Sequence, residues 1–174
     1  MADVSLPLLC ALDCAASLLS SRRPLLACAE DESARAALEA RFGEGLAWLQ
    51  HPDCATQAAG GLSVAAGPRD LIELCHRIAV GGHVALIVEG ALTRAARRKF
   101  RQPAPEQPPG DAFRLMTRRC IGSWRSLRFA AQRRLFMAAS RPELADRAEA
   151  AYRQSLWDVS GGPSLYTLRV FERR

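Results

Sequence analysis

Between residues 24 and 90, short continuous apolar runs alternate with segments whose apolar residues recur every three or four positions. That alternation limits the folds open to the chain. The run PLLACAED (24–31) is apolar and closes on acids, as a parallel strand buried on both faces does. ESARAALEARFG follows, with Ala34, Leu38 and Phe42 at helical spacing and Gly43 as a C-terminal stop. GLAWLQHPD (45–53) and GLSVAAG (61–67) read as two more strands. PRDLIELCHRIAV opens on Pro68, whose fixed φ suits the first turn of a helix, and puts Leu71, Leu74, Cys75 and Ile78 on one face. Gly81 and Gly82 then turn the chain into HVALIVEG (83–90), the clearest strand of the sequence. Strand and helix alternating at this spacing predict βαβ units. The expected fold is therefore α/β, with three layers and a mostly parallel central sheet.

The second half has a different texture. RQPAPEQPPGD (101–111) carries four prolines and a glycine and reads as a loop. From residue 112, Phe113, Met116, Cys120, Trp124, Leu127, Ala131, Leu135 and Ala138 recur at steps of three and four, which predicts one long amphipathic helix bent at Gly122. A further helix is expected after Ser140, with Pro142 in its first turn. SLYTLRV, entered through Gly161, Gly162 and Pro163, reads as a closing strand near a sheet edge. The expected organisation is a single domain, 1–174. It comprises a βαβ half over 1–100, the loop 101–111, a basic helical insertion 112–158 and a last strand over 160–174.

Charge is distributed unevenly. Residues 91–140 hold eleven arginines and Lys99 against Glu106 and Asp111, whereas residues 1–90 are net acidic. The basic stretch reads either as a solvated face or as a contact for an anionic acceptor, a protein partner (through residues 94–134), nucleic-acid phosphates, or an anionic lipid or carrier. Its aromatics are too scattered for a base-stacking platform. Six cysteines without a C-x-x-C pair and three histidines without ligand spacing predict free thiols and no metal. Asp3 stands where a signal peptide needs a positive charge and Asp13 interrupts the apolar start, so the expected location is cytoplasmic. No apolar run reaches the length of a membrane span.

Residues 11–21, ALDCAASLLSS, admit two readings. They are the interior of an apolar helix, or a strand ending at Asp13 followed by a turn in which Cys14, Ala15 and Ala16 stand where glycines would be. The rest of the chain favours the second. RDLIELCHRIAVGGHVALIVEG resembles the helix, Gly-Gly turn and fifth strand of class I S-adenosylmethionine-dependent methyltransferases, a Rossmann-like fold, with Val80 before the glycines as a departure. On that resemblance PLLCALD is the first strand, PLLACAED the second and GLAWLQHPD the third, while SLYTLRV is the antiparallel strand that closes the sheet. The resemblance implies cofactor contacts from Asp13 and Cys14 at the first turn, from Glu30 or Asp31 to the ribose hydroxyls, and from Asp53 near the adenine. It implies S-adenosylmethionine as cofactor and no metal, and it leaves the catalytic residues and the acceptor unknown. The same acids have plainer readings, as helix N-terminal charges for Glu30 and Asp31 and as turn or surface residues for Asp53 and Asp13. A receiver-domain reading of the acidic pair fails because no aspartate ends a third strand at suitable spacing. A glycine-free first turn also fits a catalytically inactive relative that acts as a binding or regulatory partner.

Overall fold

The structure is a computed structural model that describes residues 5–21, 25–50, 57–97, 104–157 and 162–174. Its elements are α1 (Leu6–Leu19), β1 (Leu25–Ala29), α2 (Glu32–Phe42), β2 (Leu46–Trp48), β3 (Ala58–Val64), α3 (Pro68–His76) and β4 (Ile78–Glu89), then α4 (Ala91–Arg97), β5 (Phe113–Ile121), α5 (Trp124–Ala138), α6 (Pro142–Ser155) and β6 (Tyr166–Arg173). The six strands form one sheet in the order β2-β1-β3-β4-β6-β5. β2, β1, β3 and β4 run parallel, and β6 lies antiparallel between β4 and β5. The mostly parallel α/β sheet with an antiparallel last strand is thus as expected.

Alternate residues of the strands feed two cores, because successive side chains in a strand point to opposite faces. One face carries Leu25, Ala27, Leu62, Ala85, Ile87, Leu168 and Val170 beneath α1 and α2. The other carries Leu26, Cys28, Val84, Leu86 and Phe171 beneath α3. Three layers result. The α3 layer is fastened by Arg173 of β6, whose guanidinium donates to the carbonyls of Cys75 and His76 at 3.4 and 3.2 Å and to that of Ile78. A cation there satisfies carbonyls that a helix end leaves without partners.

Two expectations need correction. Residues 6–19 form a helix, not a strand and turn. Leu8, Ala11, Leu12, Ala15 and Leu19 are all buried, a spacing of three and four that only a helix brings onto one face, while Asp13 lies on the exposed side. Pro7 in the first turn suits the start, and Ala11, Ala15 and Ala16 favour the helical interior. The second correction concerns the predicted long helix, whose first third is the strand β5. A bulge between Leu115 and Thr117 leaves Met116 without a partner on β6. The extra residue turns a two-residue alternation into an apparent three-to-four spacing, which mimics a helix. Gly122, at φ +72, then separates β5 from α5.

α5 and α6 form a hairpin joined by a tight C-terminal motif. The amide of Arg141 donates to Phe136 O and that of Ser140 to Met137 O, the pairing that closes a helix through a left-handed residue. That residue is Ser140, at φ +56, where glycine has no steric penalty. Ser140→Gly should raise stability by about 1 kcal/mol, an increase that urea denaturation would detect.

Burial also sets the thiols of the α3 side. It pushes Cys28 up to about 11 and Cys75 up to about 12 from an ordinary value of 9.0. Above that ordinary value the unfolded chain loses protons that the folded chain retains, so folding stability falls as the pH rises from about 9 toward 12. Urea midpoints should therefore decline over this window. The decline should flatten in a Cys28→Ala, Cys75→Ala double variant.

Candidate functional site

β1 connects through α2 to β2 on one side of it, whereas β3 connects through α3 to β4 on the other. The chain therefore reverses its direction of sheet growth between β1 and β3. In open α/β sheets a crevice opens beyond the carboxyl ends of the strands at such a point. Here that crevice is a cavity of about 110 Å³. Asp31 and Ser33 line it at the start of α2, Val64 and Ala65 at the end of β3, and Glu89 at the end of β4. Ser5 and Leu8 of the α1 end and Tyr166 of β6 complete the wall.

The backbone around the crevice is tightly specified. The Glu30 amide donates to Val64 O at 3.2 Å, tying the two strand ends together. Asp31 is the N-cap of α2, its Oδ1 accepting from the Ala34 amide at 2.7 Å. The other carboxylate oxygen makes no hydrogen bond among the described residues and remains open to a ligand. Ala65 holds φ +50, a conformation that costs a non-glycine residue about 1 kcal/mol, and its amide donates to Ile87 O at 2.8 Å. Strain of this kind persists where the surroundings over-determine the backbone, and such places cluster at ligand sites. Arg94, one helical turn into α4, donates to Glu89 O at 2.7 Å and sets a cation beside the β4 end.

The five residues named from the sequence separate into three groups. Asp31 lines the crevice and Glu30 is its exposed neighbour. Asp13 and Cys14 sit on α1 and do not line it. Asp13 pairs with Arg41 of α2 at 2.5 Å on the surface, and Cys14 Sγ lies 3.9 Å from Arg119 Nη1. Asp53 lies outside the described residues. Glu89, Ala65 and Tyr166 were not singled out from the sequence. Glu89 carried a readable signal, an acid closing an apolar strand just before Gly90, the pattern that marked Glu30 and Asp31. Ala65 and Tyr166 carried none, because each is defined by its backbone or its place in the sheet. Cys14, Ala15 and Ala16 lie inside α1, so no turn stands there, and the short connection after β1 is Glu30–Asp31.

The residues can be tested against S-adenosylmethionine. Its ammonium and ribose hydroxyls can donate to carboxylates and its sulfonium is attracted by their charge, and Asp31 and Glu89 both line the crevice. The polar groups therefore fit. The enclosed space is smaller than the ~300–1,000 Å³ usual for ligand pockets, so a bound molecule of this size would lie partly outside the enclosed part. Among the described residues no group of His, Cys, Asp and Glu could hold a metal ion, and no helix is long and apolar enough to cross a membrane.

No protein-family model matches the chain, and no curated protein matches it. Among solved structures it is similar to coclaurine N-methyltransferase bound to N-methylheliamine and S-adenosylhomocysteine, at 10% identity and a TM-score of 0.45, covering 95% of this chain and 72% of that one. It is also similar to a proposed methyltransferase of Bacillus halodurans, at 13% identity and a TM-score of 0.42, covering 95% of this chain and 97% of that one. The fold itself is α/β, with helices on both faces of a mostly parallel six-stranded sheet.

Proposed function

We propose that the protein binds S-adenosylmethionine in the crevice between β1 and β3 and acts as a methyltransferase-like protein on an unidentified, anionic acceptor. The observation that carries this reading is the pair of carboxylates, Asp31 and Glu89, on a crevice at the switch point of the sheet. When bound, the cofactor supplies a methyl group carried on a positively charged sulfur. The chain's own part is to receive that charge with Asp31 and Glu89 and to offer the Ser33 and Tyr166 hydroxyls. The arginine-rich stretch of residues 91–140, of which Arg94 at the β4 end is paired with Glu106 at 3.7 Å, is what favours an anionic acceptor. The glycine-free Glu30–Asp31 turn favours a second reading, a catalytically inactive relative that keeps the scaffold and acts as a binding or regulatory partner.

Calorimetric titration with S-adenosylmethionine and S-adenosylhomocysteine separates the two. The first reading expects saturable binding that Asp31→Asn and Glu89→Gln each weaken about tenfold, the scale of one charge-assisted hydrogen bond. Asparagine caps a helix as well as aspartate does, so Asp31→Asn should leave the melting temperature nearly unchanged and report on the ligand alone. No saturable binding at millimolar ligand would leave only the second reading.

A further inference from the structure

α5 is a fifteen-residue helix in which Ser126 is the one fully buried residue. It packs on α6, where Ser126 Oγ donates to Ser155 O at 3.1 Å and Arg133 pairs with Glu149 at 3.0 Å. Trp124, Arg128, Ala131 and Leu135, at steps of four, three and four, lie in one line on the opposite, exposed side. Trp124 is 64% exposed and Leu135 68%. Arg125 and Arg134 stand about a quarter turn to either side of that line, and α5 contains four arginines and no acid. Neither Arg128 nor Arg134 makes an ion pair among the described residues. This face lies apart from the residues that line the crevice.

We propose that this face of α5 docks on an anionic lipid bilayer surface. An indole and a leucine on one line have apolar area to bury at the headgroup boundary, which a phosphate backbone in water would leave exposed. The arginines are long enough to keep their guanidiniums at the headgroup phosphates while their stems lie along the apolar edge. The area is small and the charge moderate, so the docking is peripheral and reversible.

Co-sedimentation of the full chain with phosphatidylcholine vesicles, with and without a minority of phosphatidylglycerol, tests this at physiological ionic strength. Binding should require phosphatidylglycerol. Trp124→Ser with Leu135→Ser should weaken it about tenfold or more, and Arg128→Gln and Arg134→Gln about fivefold each. All these side chains are exposed, so the variants should melt with the wild type, and the arginine variants test the idea independently of the apolar pair. Equal binding to neutral vesicles, no binding to either, or undiminished binding by the Trp124, Leu135 variant would overturn it. So would a complex with single-stranded RNA in the absence of vesicle binding, or a dimer in solution that the Leu135 change dissolves.

Discussion

Gly90→Ala should lower stability by about 3 kcal/mol or more, a fall of roughly 6–12 °C in melting temperature for a domain of this size. Gly90 directly follows β4 and lies against the backbone that leads into β6. Its amide donates to Leu165 O at 2.7 Å, and the Leu92 amide donates to Ser164 O at 3.1 Å. A Cβ at position 90 would stand 2.6 Å from the Ser164 carbonyl carbon and 2.8 Å from its hydroxyl, closer still to the carbonyl oxygen. Main-chain atoms cannot move aside as a side-chain tip can, so either the two hydrogen bonds or the β4–β6 register must give. Glu89 is the next residue, so the same change should also disturb the crevice. Thermal denaturation measures the first effect. A melting temperature within a degree or two of wild type would contradict the close packing at this point.

Leu12→Ala should destabilise the fold by about 3 kcal/mol, the usual result of emptying a fully buried leucine site. Leu12 is wholly buried in the core beneath α1. Asp13→Ala, one residue on, should change stability by less than about 1 kcal/mol, because its pair with Arg41 is solvent-exposed. A helix predicts this contrast between neighbours, with one side in the core and the other in water. A strand ending in a cofactor turn would have made Asp13 the sensitive position. Urea denaturation of the two variants decides between these descriptions.

The legible parts of the fold were those in which local pattern and tertiary role agree. LLACA and HVALIVE are continuous apolar runs because both faces of their strands are covered, and ESARAALEARF and PELADRAEAAYRQS are amphipathic because each helix has one side in solvent. Two segments misled for physical reasons. PLLCALDCAASLL favours a helix by its alanines, but its continuous apolar run also fits a strand buried on both faces, and the single Asp13 gave a false end point. FRLMTRRCI is an exposed edge strand, so it lacks the apolar signature of the inner strands, and its bulge at Met116 shifts the phase of what alternation remains. The candidate site was half legible. Glu30 and Asp31 were singled out because the family resemblance was laid on the acids that end PLLACAED. The crevice itself depends on which strand lies beside which, and the left-handed backbone of Ala65 leaves no trace in the residue type.

Binding of a ligand between the ends of β1, β3 and β4 is tested most directly by amide chemical shifts. A heteronuclear spectrum of the labelled protein, recorded with increasing S-adenosylhomocysteine, should show saturable shifts concentrated at Glu30 to Ala34, at Val64 to Ala66, and at Glu89 and Gly90. The α5 amides should stay still. Saturable shifts centred elsewhere, or a spectrum unchanged at millimolar ligand, would contradict the assignment of this crevice as the cofactor site.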